Sequence, residues 1–231
     1  MPTDPPDEAL DEVERGAAER LTFFSDAVVA IAMTLLALEL PLPEGKTAAE
    51  LWHSAAENFG AYLAFCLSFV VIASYWTAHH RLFRWVHRSD DLLRRFNLLW
   101  LFFIVVMPFI TRFISEGGDG PGDTTHAVRF AVYAVVQVMI DLVYVAMAVH
   151  LRRARLLRAV TPDAAVDNAI WGAGAVAVGF AVSIPLFFVW SWAWVLWIFV
   201  PMGIGAARGR IGPPAAGRVP TSRAKTATKE H

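Results

Sequence analysis

Residues 20–41 read RLTFFSDAVVAIAMTLLALELP, an apolar run that opens on an arginine, carries a carboxylate near its start and closes on Glu39 and a proline. Its uncharged part, Ala27 to Leu38, has twelve residues; as a helix it covers about 18 Å, against a bilayer hydrocarbon core of about 30 Å. Ser25 and Asp26 therefore fall near or inside the inner edge of a bilayer that this helix crosses. A carboxylate there costs about 3 kcal/mol or less unless it meets partners or water, so Asp26 is expected to face protein or an aqueous vestibule. Bulky side chains at Phe24, Val28, Ile31, Leu35 and Leu38 recur at intervals of four, three, four and three, which keeps one seam along the helix. By periodicity alone the seam suits ordinary helix packing as well as a wall around an axis.

The remainder of the chain agrees with a membrane setting. Its 231 residues are 56% hydrophobic and only 18% charged, which a water-soluble domain does not require. Apolar segments run from Arg20 to Leu40, Leu51 to Thr77, Leu92 to Thr111, His126 to Val149, Val166 to Pro185 and Phe187 to Ala206. The last two come from one uncharged stretch, Ala169 to Ala207, too long for a single crossing of about 20 residues. Pro185 places the expected turn near Ser183 to Pro185. The fold class is therefore all-α: a polytopic membrane protein of six transmembrane helices, residues 20–206. An acidic, disordered arm (residues 1–19) precedes it and a basic, disordered tail (residues 207–231) follows. Seven acidic residues and one arginine in the first nineteen positions are the opposite of a signal peptide.

Six spans put both termini on one side, and the basic residues say which. Arg15, Arg20, Arg81, Arg84, Arg88, Arg94, Arg95, Arg152, Arg153, Arg155, Arg158 and the six of the tail share one face, and only Lys46, Arg112 and Arg129 the other. Seventeen against three makes the first face cytoplasmic, with both termini there and the protein in a bacterial plasma membrane. Trp190, Trp192, Trp194 and Trp197 follow the outer turn and read as an interfacial belt. Ala175 and Gly179, four apart, read as a helix-packing pair. Asp141, the only charge deep in the fourth span, reads as a polar packing contact with Gln137 one turn earlier. One cysteine, Cys66, excludes an internal disulfide.

Arg20 with Phe24-Ser25-Asp26 and the following AVVAIAMTLLALEL closely resembles the signature of the endolysosomal potassium channel family named for transmembrane protein 175, in its bacterial six-helix branch. YWTAHHRLFR at Tyr75 to Arg84 and FNLLWLFFIVVMPFIT at Phe96 to Thr111 look like the end of that family's second helix and its third. The resemblance implies a homotetramer around a central cation pathway lined by the first helix, passing K+ with modest selectivity and without the TVGYG-type filter, which this sequence also lacks. It implies a constriction at Ile31, Leu35 and Leu38, with Thr34 at a position tied to selectivity. It also implies that the Phe-Ser-Asp element is held by contacts to the next two helices. Arg20, Phe24, Ser25, Asp26, Trp76, His79, His80, Arg81 and Asn97 are the residues in reach, and either histidine can face inward.

A ring of Ile or Leu offers an ion no ligands, so passage needs a hydrated or widened state and dewetting closes it. Glu39, at the outer end, is the residue for a ring of carboxylates that concentrates cations. No catalytic constellation is visible, and the chain is expected not to be an enzyme. No cofactor or resident metal is expected: His79 and His80 are adjacent and point apart on a helix. The expected partners are other copies of the chain, membrane lipid and permeant K+, with no nucleic acid. The alternative is a secondary transporter or a proton-permeable or proton-coupled carrier, for which only Asp141 is on offer as a midplane charge.

Overall fold

Long apolar segments can satisfy their backbone in a bilayer only as helices or closed barrels, and here they are helices. The computed structural model describes residues 7–115, 124–187 and 193–211. In chain order the helices are α1 (Asp7–Leu38), α2 (Ala48–Glu57), α3 (Phe59–Phe83), α4 (Asp91–Ser115), α5 (Thr124–Arg153), α6 (Asp163–Phe187) and, after one 3-10 turn at Ala193–Val195, α7 (Leu196–Ile211). Five of them, α1, α3, α4, α5 and α6, are long and apolar enough to cross a membrane. α7 has 16 residues with Pro201 inside it.

Several boundaries depart from the sequence expectation. α1 begins at Asp7, well before Arg20, so the acidic stretch continues the helix of the first span. Its anchor is an ion pair from Glu14 Oε2 to Arg88 Nε at 2.6 Å, which ties it to the α3–α4 loop. The segment expected as one span from Leu51 is split at Asn58: α2 is a separate short helix with no buried residue. Thr47 explains its start, since its hydroxyl accepts from the Glu50 N–H while the Glu50 carboxylate accepts from the Lys46 N–H at 2.7 Å. Hydrogen bonding to the carboxylate, by the Lys46 backbone first and the Thr47 side chain next, holds the Glu50 carboxyl below its ordinary value. The turn expected at Ser183 to Pro185 is absent, for α6 passes through Pro185 to Phe187. Ser183 is buried in that helix, donating to the Phe180 carbonyl at 2.7 Å.

The core lies between α5 and its neighbours. α5 packs on α4 and α6, α6 on α7, and α1 on α4 and α3. α3 and α5 run parallel, as the pairs Ser68–Tyr133, Tyr75–Asp141 and Ala78–Tyr144 advance together. Trp197 is half-buried against the core: its indole N–H donates to Ser183 Oγ at 2.9 Å, and it stacks on Phe130 and Tyr133. Trp190, Trp192 and the Trp194 side chain lie outside the described residues, as does the tail from position 212.

The two arginine-rich loops meet. The His87 N–H donates to the Leu156 carbonyl at 2.8 Å and the Arg158 N–H to the Trp85 carbonyl at 2.8 Å, forming a bridge between Val86 and Leu157. At the same end the Asp90 carboxylate caps α4, accepting from the Leu93 N–H at 2.7 Å, and contacts His150 Nε2 at 2.8 Å. Burial pushes the Asp90 carboxyl up, but the Leu93 and His150 hydrogen bonds outweigh it and hold the group below its ordinary value.

Two predictions follow from this packing. A lowered Asp90 value contributes stability that is present above the unfolded carboxylate value near about 4 and disappears as pH falls through the folded one. The melting temperature of Asp90→Asn, followed in detergent, should therefore lie below that of the parent at pH 7, and the gap should close towards pH 3. At Gly179 an added Cβ would stand 3.2 Å from the Leu196 carbonyl of α7, whereas at Gly174 it would meet nothing within 4 Å. Gly179→Leu should cost about 1–3 kcal/mol through overpacking, and Gly174→Leu much less, in a thermal-unfolding assay.

Candidate functional site

α1 has two faces. Ala18, Ser25, Val29, Ala32 and Leu36 are buried against α3 and α4. Phe24, Ile31, Leu35 and Leu38 stay exposed on the single chain, Ile31 at 57% and Leu38 at 79%, with Thr34 exposed beside them. Val28, expected on the same seam, is half-buried and packs on the core instead. Thr34 donates to the Ile31 carbonyl at 2.8 Å, so its hydroxyl is engaged with its own helix.

The polar residues expected to meet at the inner end form two groups. In the first, wholly buried, Ser25 Oγ donates to the Leu21 carbonyl at 2.8 Å and accepts from Asn97 Nδ2 at 2.8 Å. Asn97 Oδ1 lies 2.8 Å from His79 Nε2. An amide oxygen only accepts, so His79 is the donor there and its proton sits on Nε2. The His79 ring is stacked between Phe83, 3.9 Å away, and Trp100, 4.5 Å away. In the second group, at the surface, Asp26 Oδ1 accepts from Trp76 Nε1 at 2.9 Å and Asp26 Oδ2 lies 3.6 Å from His80 Nδ1. Both histidines therefore work, on different sides of α3: one holds the Asn97 that joins α4 to α1, the other faces the aspartate.

Arg20 and Arg81 stay outside these groups. Arg20 is exposed, and Arg81 Nε donates back to the Thr77 carbonyl of its own helix. Glu39 pairs with Arg112 of α4 at 3.0 Å, which neutralises much of the charge expected to attract cations at the outer end. Asp141 makes no hydrogen bond to Gln137, one turn earlier on the same helix: its Oδ2 accepts from the Tyr75 hydroxyl of α3 at 3.3 Å. Among the described residues no group of three or more His, Cys, Asp or Glu is placed to hold a metal ion. Trp100 was not foreseen as a partner of His79. Its position three residues after Asn97, one turn along α4, was the available signal.

The family model for the endosomal/lysosomal potassium channel TMEM175 matches residues 20–108, the part that holds the exposed stripe and both polar groups. A potassium channel of Chamaesiphon minutus is 34% identical over 183 residues, covering 76% of this chain and 87% of the relative. The chain belongs to the TMEM175 family. The family and the relatives it matches are ion channels and not enzymes.

A potassium channel of Streptomyces collinus is 37% identical over 134 residues, 58% of this chain and 64% of the relative, so the match spans slightly less than two thirds of that protein. The endosomal/lysosomal proton channel TMEM175 of Gallus gallus is 34% identical over 119 residues, 48% of this chain and 24% of the relative. The crystal structure of a lysosomal potassium-selective channel TMEM175 homologue from Chamaesiphon minutus superposes with a TM-score of 0.66 at 28% identity, covering 83% of this chain and 98% of that one.

The buried group makes a stability prediction. Asn97→Leu leaves Ser25 Oγ and His79 Nε2 without their partner, and each unmet buried group costs about 1–3 kcal/mol. Thermal unfolding in detergent should show the loss, while Trp76→Phe, which removes only the exposed donor to Asp26, should lower the melting temperature less.

Proposed function

We propose that four copies of this chain surround a central pathway lined by α1, and that the assembly passes K+ through a constriction at Ile31, Leu35 and Leu38 with Thr34 alongside. The observation that carries this reading is the exposed apolar stripe of α1 itself, set beside a buried polar anchor on the same helix. A helix whose only business is lipid contact does not need its rotation fixed by a three-residue hydrogen-bonded chain. A pore-lining helix does, because a turn about its axis would carry the constriction out of line.

The names of the bacterial relatives supply the ion, and general physics supplies the preference. Rings of branched aliphatic side chains offer no oxygen to replace hydration, so the ion that parts with water more easily passes more readily, and K+ does so more easily than Na+. In this reading the arginine-rich loops and both termini lie in the cytoplasm of a bacterial cell, α7 completes a sixth crossing with the 3-10 turn at Ala193–Val195, and the acidic N-terminal segment hangs beneath the pore. Glu39 contributes little to cation attraction while paired with Arg112.

The vertebrate relative named as a proton channel favours a second reading, in which protons also permeate. Reversal potentials of the reconstituted protein under K+, Na+ and pH gradients separate the two. Ile31→Asn should keep conductance high and erase the preference for K+ over Na+. An unchanged reversal potential would remove Ile31 from the constriction.

A further inference from the structure

Away from α1 and its stripe, α3 and α5 face each other along a run of buried polar side chains. Tyr133, Gln137 and Asp141 are spaced by four on one face of α5, and Ser68, Ile72 and Tyr75 by four and three on the facing side of α3. The ends of this run are matched: Ser68 Oγ and the Tyr133 hydroxyl are 3.2 Å apart, Thr111 of α4 donates to Ser68 at 2.8 Å, and Tyr75 donates to Asp141 at 3.3 Å. The middle is not. Gln137 is fully buried and α3 offers Ile72 at the intermediate position; the Tyr133 hydroxyl is a polar neighbour of its amide, yet neither Nε2 nor Oε1 reaches a partner with normal hydrogen-bond geometry.

Buried amide groups are seldom left without partners, and a protein interior commonly supplies an ordered water where side chains do not. Gln137 offers two donors and one acceptor, and the carboxyl one turn away accepts a single hydrogen bond from Tyr75 with capacity left. Asp141 itself is 2% exposed, and among the described residues no basic side chain lies within ion-pair distance of it. The groups that face it or lie along the same contact are the hydroxyls of Tyr75, Tyr133 and Tyr144, the Gln137 amide and, further toward the inner end, the charge of Arg81. α4 brings Thr111 and no ionisable group between Arg95 and Arg112, and α6 none between Asp167 and Phe187. A carboxylate held this way lacks a counter-charge, and a proton is the one small cation that fits without further ligands.

We propose that each subunit carries, apart from α1, a closed hydrated site between α3 and α5 in which Gln137 binds water and Asp141 binds a proton. In chemical terms a hydronium delivers its proton to one carboxylate oxygen of Asp141, leaving neutral water, and the neutral carboxyl then donates to that water while still accepting from Tyr75. The site needs no second subunit and does not rest on the proposed ion selectivity.

Infrared difference spectroscopy of the full-length protein in lipid, with Asp141→Asn subtracted from the parent at pH 7, reads the proton directly. A carbonyl-stretch band of a protonated carboxyl should appear in the parent, be lost in Asp141→Asn and shift downward in heavy water. A difference spectrum showing only carboxylate bands would overturn the proton assignment. Gln137→Leu tests the water: removing it should shift the same carbonyl band upward as a hydrogen bond is lost, and a band that does not move would overturn the hydrated site. Gln137→Glu, close in size, provides the comparison should the leucine variant fail to fold. There the band of Asp141 should change and a second protonated-carboxyl band should appear. An unchanged spectrum would overturn the site as well.

Discussion

The rest of this structure depends on the fact that a bilayer supplies no hydrogen bonds. α1 enters the apolar region with a serine and an aspartate still aboard, because its uncharged part is only twelve residues long. Those groups must be met from within the protein, and they are met in opposite directions, Ser25 by Asn97 of α4 and Asp26 by Trp76 of α3. Two contacts to two helices leave α1 no freedom to rotate. At about 100° per residue, Ile31 and Leu38 then lie about 120° and 140° round the helix from Ser25, which turns them away from the subunit's own core. The polar anchor and the greasy stripe are two consequences of one orientation.

His79 shows how that anchor is made rigid. An imidazole in a membrane interior is a liability unless its polar edge is spoken for and its faces are covered. Asn97 takes the edge, and Phe83 and Trp100 take the faces. The stack uses side chains from α3 and α4, so the same residues that fix α1 also fix those two helices against each other. His80, one position along and on another side of α3, keeps its Nδ1 3.6 Å from Asp26, at the end of α1 where the stripe begins.

Much of this could be read from the amino-acid order, and the failures have physical causes. Four of the long helices fall where the hydropathy puts them, and the meeting of Ser25, Asp26, His79, His80 and Asn97 follows from chemistry at matching depths. Arg20 and Arg81 were expected in that cluster because guanidinium groups seek carboxylates, yet long basic side chains at a membrane edge gain more from water and headgroups than from burial. Pro185 was expected to end its helix. A proline lacks only one donor, and the helix carries on to Phe187 with α7 packed along Gly179. Trp197 reads as an interfacial residue by type, and the sequence does not show that its N–H meets the buried Ser183 of the neighbouring helix. The start of α2, though not the break at Asn58, was legible after all: Thr47-Ala48-Ala49-Glu50 is a capping box, hidden because hydropathy averages over it.

The loops at the arginine-rich end raise a separate question, since like charges repel and yet the two loops meet. The contact is made by backbone. Trp85, His87, Leu156 and Arg158 supply the N–H and carbonyl groups, while Val86 and Leu156 bury their side chains beneath. Arg155 takes a left-handed backbone with φ of 56°, a conformation disfavoured by about 1–2 kcal/mol, where the chain turns into this pairing. Several guanidinium groups are then matched one by one from other elements, Arg88 by Glu14 of α1 and Arg152 by Asp167 of α6. Exposed pairs of this kind contribute little each. Their collective effect is geometric: they hold the arginine-rich ends of α1, α3, α5 and α6 in register, so the rotation of α1 set by Ser25 and Asn97 is not undone by the freedom of its long N-terminal extension.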